Sequence, residues 1–262
     1  MPSSLFILLG ALAAGLVFGS FLNVCIVRLP RHQSIVAPGS HCTTCGAPIR
    51  PWDNIPVLSW IVLRGRCRAC ASPIAPQYPL VELGVAILFA ACVLHTGATW
   101  QTVLDAVACF FLLGLAIMDA QTMLLPDAFT MPGIAVAFLL KIAAPNAHHR
   151  GAVALRTLQD AAIASAMLLL VWYLYRVIRK QEGIGLGDVK LLAMMAAFLG
   201  LPRTLVAFFL AVVSAAAYAL ALVVRRRATS TTRIAFGSFL ALAGIVAIFA
   251  GRPLLTWYLS LF

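Results

Sequence analysis

The sequence predicts an all-α polytopic membrane protein of about eight transmembrane helices, with a small cysteine-bearing cytoplasmic insert after the first helix. Three observations carry this. The 262 residues are 63% hydrophobic and only 10% charged, whereas a soluble domain is nearer half apolar and a quarter charged. Apolar runs recur along the chain, some of them approaching the about 20 residues that cross a hydrocarbon layer. Lysines and arginines fall in the gaps between those runs, as membrane topology requires. The net charge of +11 is therefore a topology signal and a means of contacting anionic lipid, not a nucleic-acid surface.

The first run, Leu5 to Val27, is the first span. Ala11-Leu12-Ala13 mimics a signal cleavage site, but no Lys or Arg precedes the run and it continues well beyond, so a retained helix is expected. A polar insert follows from Arg28 to about Tyr78. Leu80 to Leu94 is the second span, and Val103 to Met118 the third. Asp119 to Asp127 forms a short link with Pro126 near its end. Phe129 to Ala144 is the fourth span, and Ala161 to Ile178 the fifth, after a polar stretch from Pro145 to Gln159. Val189 to Leu199 is a short sixth span and Leu205 to Val224 the seventh, stopped by Arg225, Arg226 and Arg227. Ile234 to Ala250 is the eighth. Pro253 to Phe262 reads as an extension of the last helix or an interfacial segment. This divides the chain into a first helix (1–27), a cysteine-rich insert (28–79) and a bundle (80–262). No internal repeat relates the halves, which weighs against an inverted-repeat transporter.

Placing the insert in the cytoplasm puts fourteen of the nineteen basic residues inside, Arg225, Arg226, Arg227 and Arg233 among them. Lys141, Arg150, Arg156, Arg203 and Arg252 fall outside. The same orientation sets Asp119, Asp127 and Asp188 at the cytoplasmic face.

Cys42-Thr43-Thr44-Cys45 and Cys67-Arg68-Ala69-Cys70 are two C-x-x-C knuckles with 21 residues between them. That arrangement suits tetrahedral thiolate binding of zinc, and a loop too small for a core of its own gains from a metal staple. A cytoplasmic location disfavours disulfides; reduced knuckles without metal and a redox pair are the alternatives. His41 reads as a bystander. Cys25, Cys92 and Cys109 lie in apolar runs as small buried hydrophobes.

Carboxylates inside a membrane are costly and face protein or water. Asp119 and Asp188 each join an apolar run to a cytoplasmic loop. Two such acids sharing one proton can activate water against a peptide carbonyl, one as base and the other as acid. Gly183, Gly185 and Gly187 let the chain bend and let another group approach Asp188. Asp127 follows Pro126, a position suited to helix capping, and is a third candidate for the pair. Asp53, Asp105, Asp160 and Glu182 read as ordinary loop or helix-end acids. Glu82, near the start of the second span, reads most plainly as a polar contact within the bundle.

Together these residues resemble the prepilin peptidase, or type IV leader peptidase, family over nearly the whole chain. The resemblance rests on Gly19-Ser20-Phe21-Leu22-Asn23-Val24-Cys25-Ile26-Val27-Arg28-Leu29-Pro30, the two knuckles, Asp53-Asn54-Ile55-Pro56-Val57-Leu58-Ser59-Trp60 and Tyr78-Pro79-Leu80-Val81-Glu82. It continues in Asp119 with Asp127 after Pro126, and in the G-x-G-D motif within Gly185-Leu186-Gly187-Asp188-Val189-Lys190-Leu191. Thr43, Gln77 and the proline-free Ala235-Phe236-Gly237-Ser238-Phe239 depart from the family pattern.

The resemblance implies an inner-membrane peptidase with catalytic Asp119 and Asp188, supported in the catalytic loop by Gly185, Gly187, Lys190 and Asp127. It implies prepilin or pseudopilin substrates cleaved at the cytoplasmic edge of their apolar helix. It also implies N-methylation of the new terminus with S-adenosylmethionine, for which the insert and Glu82 are the place to look. A zinc-bearing membrane scaffold for pilus assembly, and a proton- or ion-coupled transporter, are the rival readings.

Overall fold

In the computed structural model the described residues are 2–145, 147, 149–180, 185–225 and 234–260. Gly183 of the glycine stretch, Glu182 of the acids read as ordinary, and Arg226, Arg227 and Arg233 of the charge count lie outside them. The described residues form nine α-helices and no β-strand: α1 (Pro2–Arg28), α2 (Leu58–Val62), α3 (Gln77–Thr96), α4 (Trp100–Thr122), α5 (Asp127–Ile142), α6 (Arg150–Arg179), α7 (Leu186–Leu199), α8 (Leu201–Val224) and α9 (Phe236–Leu259). All eight apolar runs are helical, and α2 is a short turn of helix inside the insert. Among the described residues, six helices are long and apolar enough to cross a membrane: α1, α3, α4, α6, α8 and α9. With 16 and 14 residues, α5 and α7 reach only about 24 and 21 Å, so the expected eight crossings become six of full length and two short helices. At its start, α6 takes in the polar stretch from Arg150. The tail continues α9 past Pro253 to Leu259.

The chain divides into two compact units, Met1–Thr102 and Val103–Phe262. In the first, α1 and α3 pack as an antiparallel pair. A methyl placed on Gly15 would fall 2.4 Å from Ala86 Cα, and one on Gly19 would fall 2.6 Å from Glu82 Cα. One turn further on, Asn23 Nδ2 donates to Tyr78 O at 3.0 Å. These contacts step four residues along each helix in opposite directions. The seam is thus a small-x-x-x-small approach of two backbones, the usual way apolar helices gain close contact in lipid. The insert hangs between the two helices.

In the second unit α7 is the central helix. Asp188, Val189 and every residue from Leu191 to Leu199 are buried, because α7 packs against α5, α6, α8 and α9. A helix apolar on all sides needs such an enclosure, and an enclosed helix need not match the bilayer's thickness. Met194 fills the space over Gly133 of α5, and Met195 the space over Gly244 of α9. Phe111 packs at a tilt against Phe129, ring centroids 4.9 Å apart, and meets Phe198 at 6.1 Å, joining α4, α5 and α7. The outer helices show the opposite pattern. Leu170, Leu174, Val177 and Ile178 of α6, and Leu220, Val223 and Val224 of α8, are exposed, as lipid-facing side chains are.

Gly15→Ala is expected to lower stability by about 1–3 kcal/mol, the usual cost of overpacking, because its methyl meets backbone that cannot rotate away. Thermal unfolding in detergent measures it; an unchanged midpoint would mean the seam gives way freely.

Candidate active site

Asp119 lies in the last turns of α4 and Asp188 in the first turn of α7. Both are buried, at 5% and 8% exposure. Asp119 is held by the start of α9: Ser238 N–H donates to its Oδ2 at 2.6 Å, and Ser238 Oγ lies 3.0 Å from the same oxygen. The hydroxyl also lies 2.9 Å from Ala116 O. Having one hydrogen, it donates to one of the two at a time. Gly237, just before, must be small, since a methyl there would sit 3.0 Å from the Asp119 carboxyl carbon and 2.9 Å from Leu125 Cδ1.

Leu125 also touches Gly187, where a methyl would lie 3.0 Å from Leu125 Cβ. The Asp119 segment, the α4–α5 link, the start of α7 and the start of α9 therefore meet at one end of the unit. Leu125 links the two acids' surroundings, touching Gly237 beside Asp119 and Gly187 beside Asp188. Gly185 N–H donates to Asp188 Oδ2 at 3.2 Å, and Asp188 N–H donates to Gly185 O at 3.1 Å, a reciprocal closure of the helix start.

Asp127 is placed differently. It is the first residue of α5, follows Pro126 and makes no side-chain cap. Its carboxylate accepts Lys190 Nζ through both oxygens, at 2.6 and 2.7 Å. The pair ties the start of α5 to α7 at an exposed position, where such a bridge contributes about 0.2–1 kcal/mol. Ser238 carries no role in the sequence-based expectations. Its only signal was a hydroxyl at the start of an apolar run, in the segment noted for its missing prolines.

In the first unit the four knuckle sulfurs, Cys42, Cys45, Cys67 and Cys70, lie within 4.8 Å of one another. A tetrahedral zinc with bonds of about 2.3 Å sets its sulfurs about 3.8 Å apart, and Cys42 Sγ lies 3.8 Å from Cys70 Sγ. The donor set and its spacing fit that metal. His41 is not among the clustered groups; its ring Nδ1 contacts Gly39 O at 2.9 Å.

The knuckles repeat each other. Cys42 N–H bonds Ala47 O and Gly46 N–H bonds Cys42 O, each at 2.9 Å. Cys67 N–H bonds Ser72 O and Ala71 N–H bonds Cys67 O, again each at 2.9 Å. The two left-handed positions correspond, Gly46 at φ 73° and Ala71 at φ 57°.

Backbone N–H groups of Cys45 and Thr44, helped by the Ser72 hydroxyl, pull the Cys42 thiol down to about 5. For Cys45 the Ala47 N–H favours the thiolate, but sulfur contacts with Cys70 and Cys42 outweigh it and push the thiol up to about 11. Asp53, expected to be an ordinary loop acid, accepts Arg68 in a bidentate pair at 2.6 to 3.1 Å. That pair fastens the second knuckle to the turn Pro51–Asn54 and holds the Asp53 carboxyl below its usual range.

Glu82 is buried in the α1–α3 seam, where its Oε2 accepts Val57 N–H at 2.7 Å. The structure thus gives it a contact to the insert as well as a place between the helices. Asp105, also expected to be ordinary, is buried within α4.

Comparison with known proteins gives two family matches: the bacterial peptidase A24 N-terminal domain over residues 13–96 and the type IV leader peptidase family over residues 106–220. The chain is 33% identical to a prepilin leader peptidase/N-methyltransferase of Pseudomonas aeruginosa, covering 94% of this chain and 91% of that one. It is 35% identical to proteins of the same description from Burkholderia pseudomallei (93% and 85% covered) and Aeromonas hydrophila (94% and 92% covered). No solved structure matches.

With metal removed, alkylation at pH 7 is expected to label Cys42 well ahead of Cys45. A thiol at about 5 is already thiolate there, so the Cys42 rate should hold down to about pH 5 and fall below it. Peptide mass mapping reads both, and added zinc should protect all four cysteines. Equal labelling of Cys42 and Cys45 would contradict the backbone-donor account. Ala71→Gly should stabilise the second knuckle by about 1 kcal/mol, because a side chain at positive φ is disfavoured; slower proteolysis within the insert would register it.

Proposed function

The chain belongs to the type IV leader peptidase family, and from that premise we propose that it cleaves the basic leader from prepilins and pseudopilins and methylates the amine so exposed. The observation that carries the peptidase half is the meeting of Asp119 and Asp188 at one buried end of the second unit, each with its own backbone donor. One carboxylate takes a proton from water, whose oxygen then attacks the scissile carbonyl carbon. The other, protonated, donates to the carbonyl oxygen. Collapse of the tetrahedral centre breaks the C–N bond, and the leaving nitrogen takes up the proton. Ser238 keeps the Asp119 carboxyl in one orientation. Gly185 and Gly187 shape the turn that presents Asp188, and the Asp127–Lys190 pair braces that turn from outside.

We place this end of the molecule at the cytoplasmic face, from the excess of basic residues on that side, with anionic lipid headgroups as the neighbours of those residues. Zinc held by Cys42, Cys45, Cys67 and Cys70 is structural, closing an insert, residues 28–79, too small to fold around a core of its own. The methyl group comes from S-adenosylmethionine when that donor is bound; Glu82, where the insert meets the α1–α3 seam, is our candidate for the residue that serves the transfer.

Intact-mass analysis of a purified prepilin tests this. Wild type should remove the leader mass, and add one methyl only with the donor present. Asp119→Asn and Asp188→Asn should each lower cleavage by at least about a hundredfold while the protein stays folded. Normal turnover in either variant would remove that residue from the pair.

A further inference from the structure

Asn23 and Glu82 are buried, at 2% and 7% exposure, on the same patch of the α1–α3 seam. The donation from Asn23 Nδ2 to Tyr78 O fixes which way the amide faces, because turning it over would set oxygen against oxygen. Asn23 Oδ1 is then enclosed with no donor; among the described residues it is the one buried side-chain polar atom without a partner. Native proteins rarely leave such an atom unexplained.

Glu82 lies one turn from Tyr78 on α3, and Ser20 lies one turn from Asn23 on α1. The Val57 N–H and the Ser20 hydroxyl both reach the Glu82 carboxylate. No basic side chain of the described residues balances that charge. Val57 itself is strained: a β-branched residue at φ 61° is a backbone outlier of the kind that gathers at functional sites.

The patch therefore offers a carboxylate without a counter-cation and an amide oxygen without a donor. An anion would be repelled. A sulfonium centre has charge but no N–H, and the ammonium of a sulfonium amino acid sits beside a carboxylate that Glu82 would repel. A primary ammonium has both, one positive charge and three donors. We propose that the α1–α3 seam at Asn23 and Glu82 is a binding site for a primary ammonium, the free amine terminus of a cleaved peptide, with Asn23 Oδ1 accepting one N–H and Glu82 balancing the charge. The inference rests on the methyl-transfer half of the proposed function, in which such an amine is the acceptor. Entry from the insert side parts the contact between Val57 and Glu82. Asn23 is then a specificity residue, selecting an amine over an acylated terminus.

The test is binding without any methyl donor. A synthetic peptide with a free N-terminal amine ahead of an apolar stretch, and its N-acetylated twin, are titrated against the full-length protein in lipid nanodiscs by fluorescence anisotropy. Wild type should prefer the free amine by about tenfold or more. Asn23→Leu and Glu82→Gln should each erase most of that preference. Asn23→Leu keeps the number and branching of the side-chain heavy atoms and removes the unpaired oxygen, and Tyr78 O retains its place in the helical ladder. If Asn23 serves packing alone, that variant keeps the preference and melts at or above the wild-type temperature, which would overturn the proposal. Equal wild-type affinity for the two peptides would overturn it as well. A preference lost in both variants, together with no methyl added by wild type when S-adenosylmethionine is supplied, would uphold the ammonium site and remove the transfer reading.

Discussion

Asp119 is a carboxyl group sunk into an apolar bundle, and the two donors from Ser238 are what make that position tenable. Burying an unpaired polar group costs about 1–3 kcal/mol by mutational measures, and more for a charged one. Ser238 comes from the far end of the chain, so satisfying Asp119 brings the start of α9 against the end of α4. Gly237 follows as a steric requirement, since its missing side chain is the space that the carboxyl group and Leu125 occupy. Leu125 in turn rests on Gly187, which places the start of α7 and its Asp188. The bracing pair Asp127–Lys190 and the wholly buried face of α7 complete an arrangement in which each element is positioned by the one before it.

Much of this was legible in the residues. Composition and basic-residue spacing gave the membrane class, and the eight apolar runs became eight helices. What they could not show was length in context. The 14 residues of α7 look like a marginal span until the helix is seen enclosed by four neighbours, at which point matching the bilayer no longer governs it. The start of α6 was misread because Pro145 to Gln159 is polar, yet polarity does not prevent helix once Arg150 begins one. Carboxylate spacing along the chain says nothing of distance, so the approach of Asp119 to Asp188 needed the fold. Ser238 and Asn23 were silent for a related reason: a serine or asparagine acquires its role from the partner that tertiary structure supplies or withholds.

The knuckles make the complementary point. Their spacing announced a four-sulfur cluster, and the cluster is there. The pattern did not show that both loops are built on one hydrogen-bond plan, with Ala71 holding the left-handed position that Gly46 holds in the other. Asp53 likewise looked like a loop acid and serves as the anchor of the second knuckle through Arg68.

The shortness of α7 has a hydraulic consequence. A helix of about 21 Å in a hydrocarbon layer of about 30 Å leaves about 9 Å that it does not span. Protein rather than lipid surrounds α7, so the shortfall is met not by thinning the lipid but at the helix end, where Asp127 and Lys190 are exposed. Hydrolysis consumes a water molecule in every turnover, and a bundle that wraps its carboxylates in full-length helices would need a channel to deliver it. On the proposed assignment of Asp188, building its helix short brings that aqueous edge toward the reacting bond.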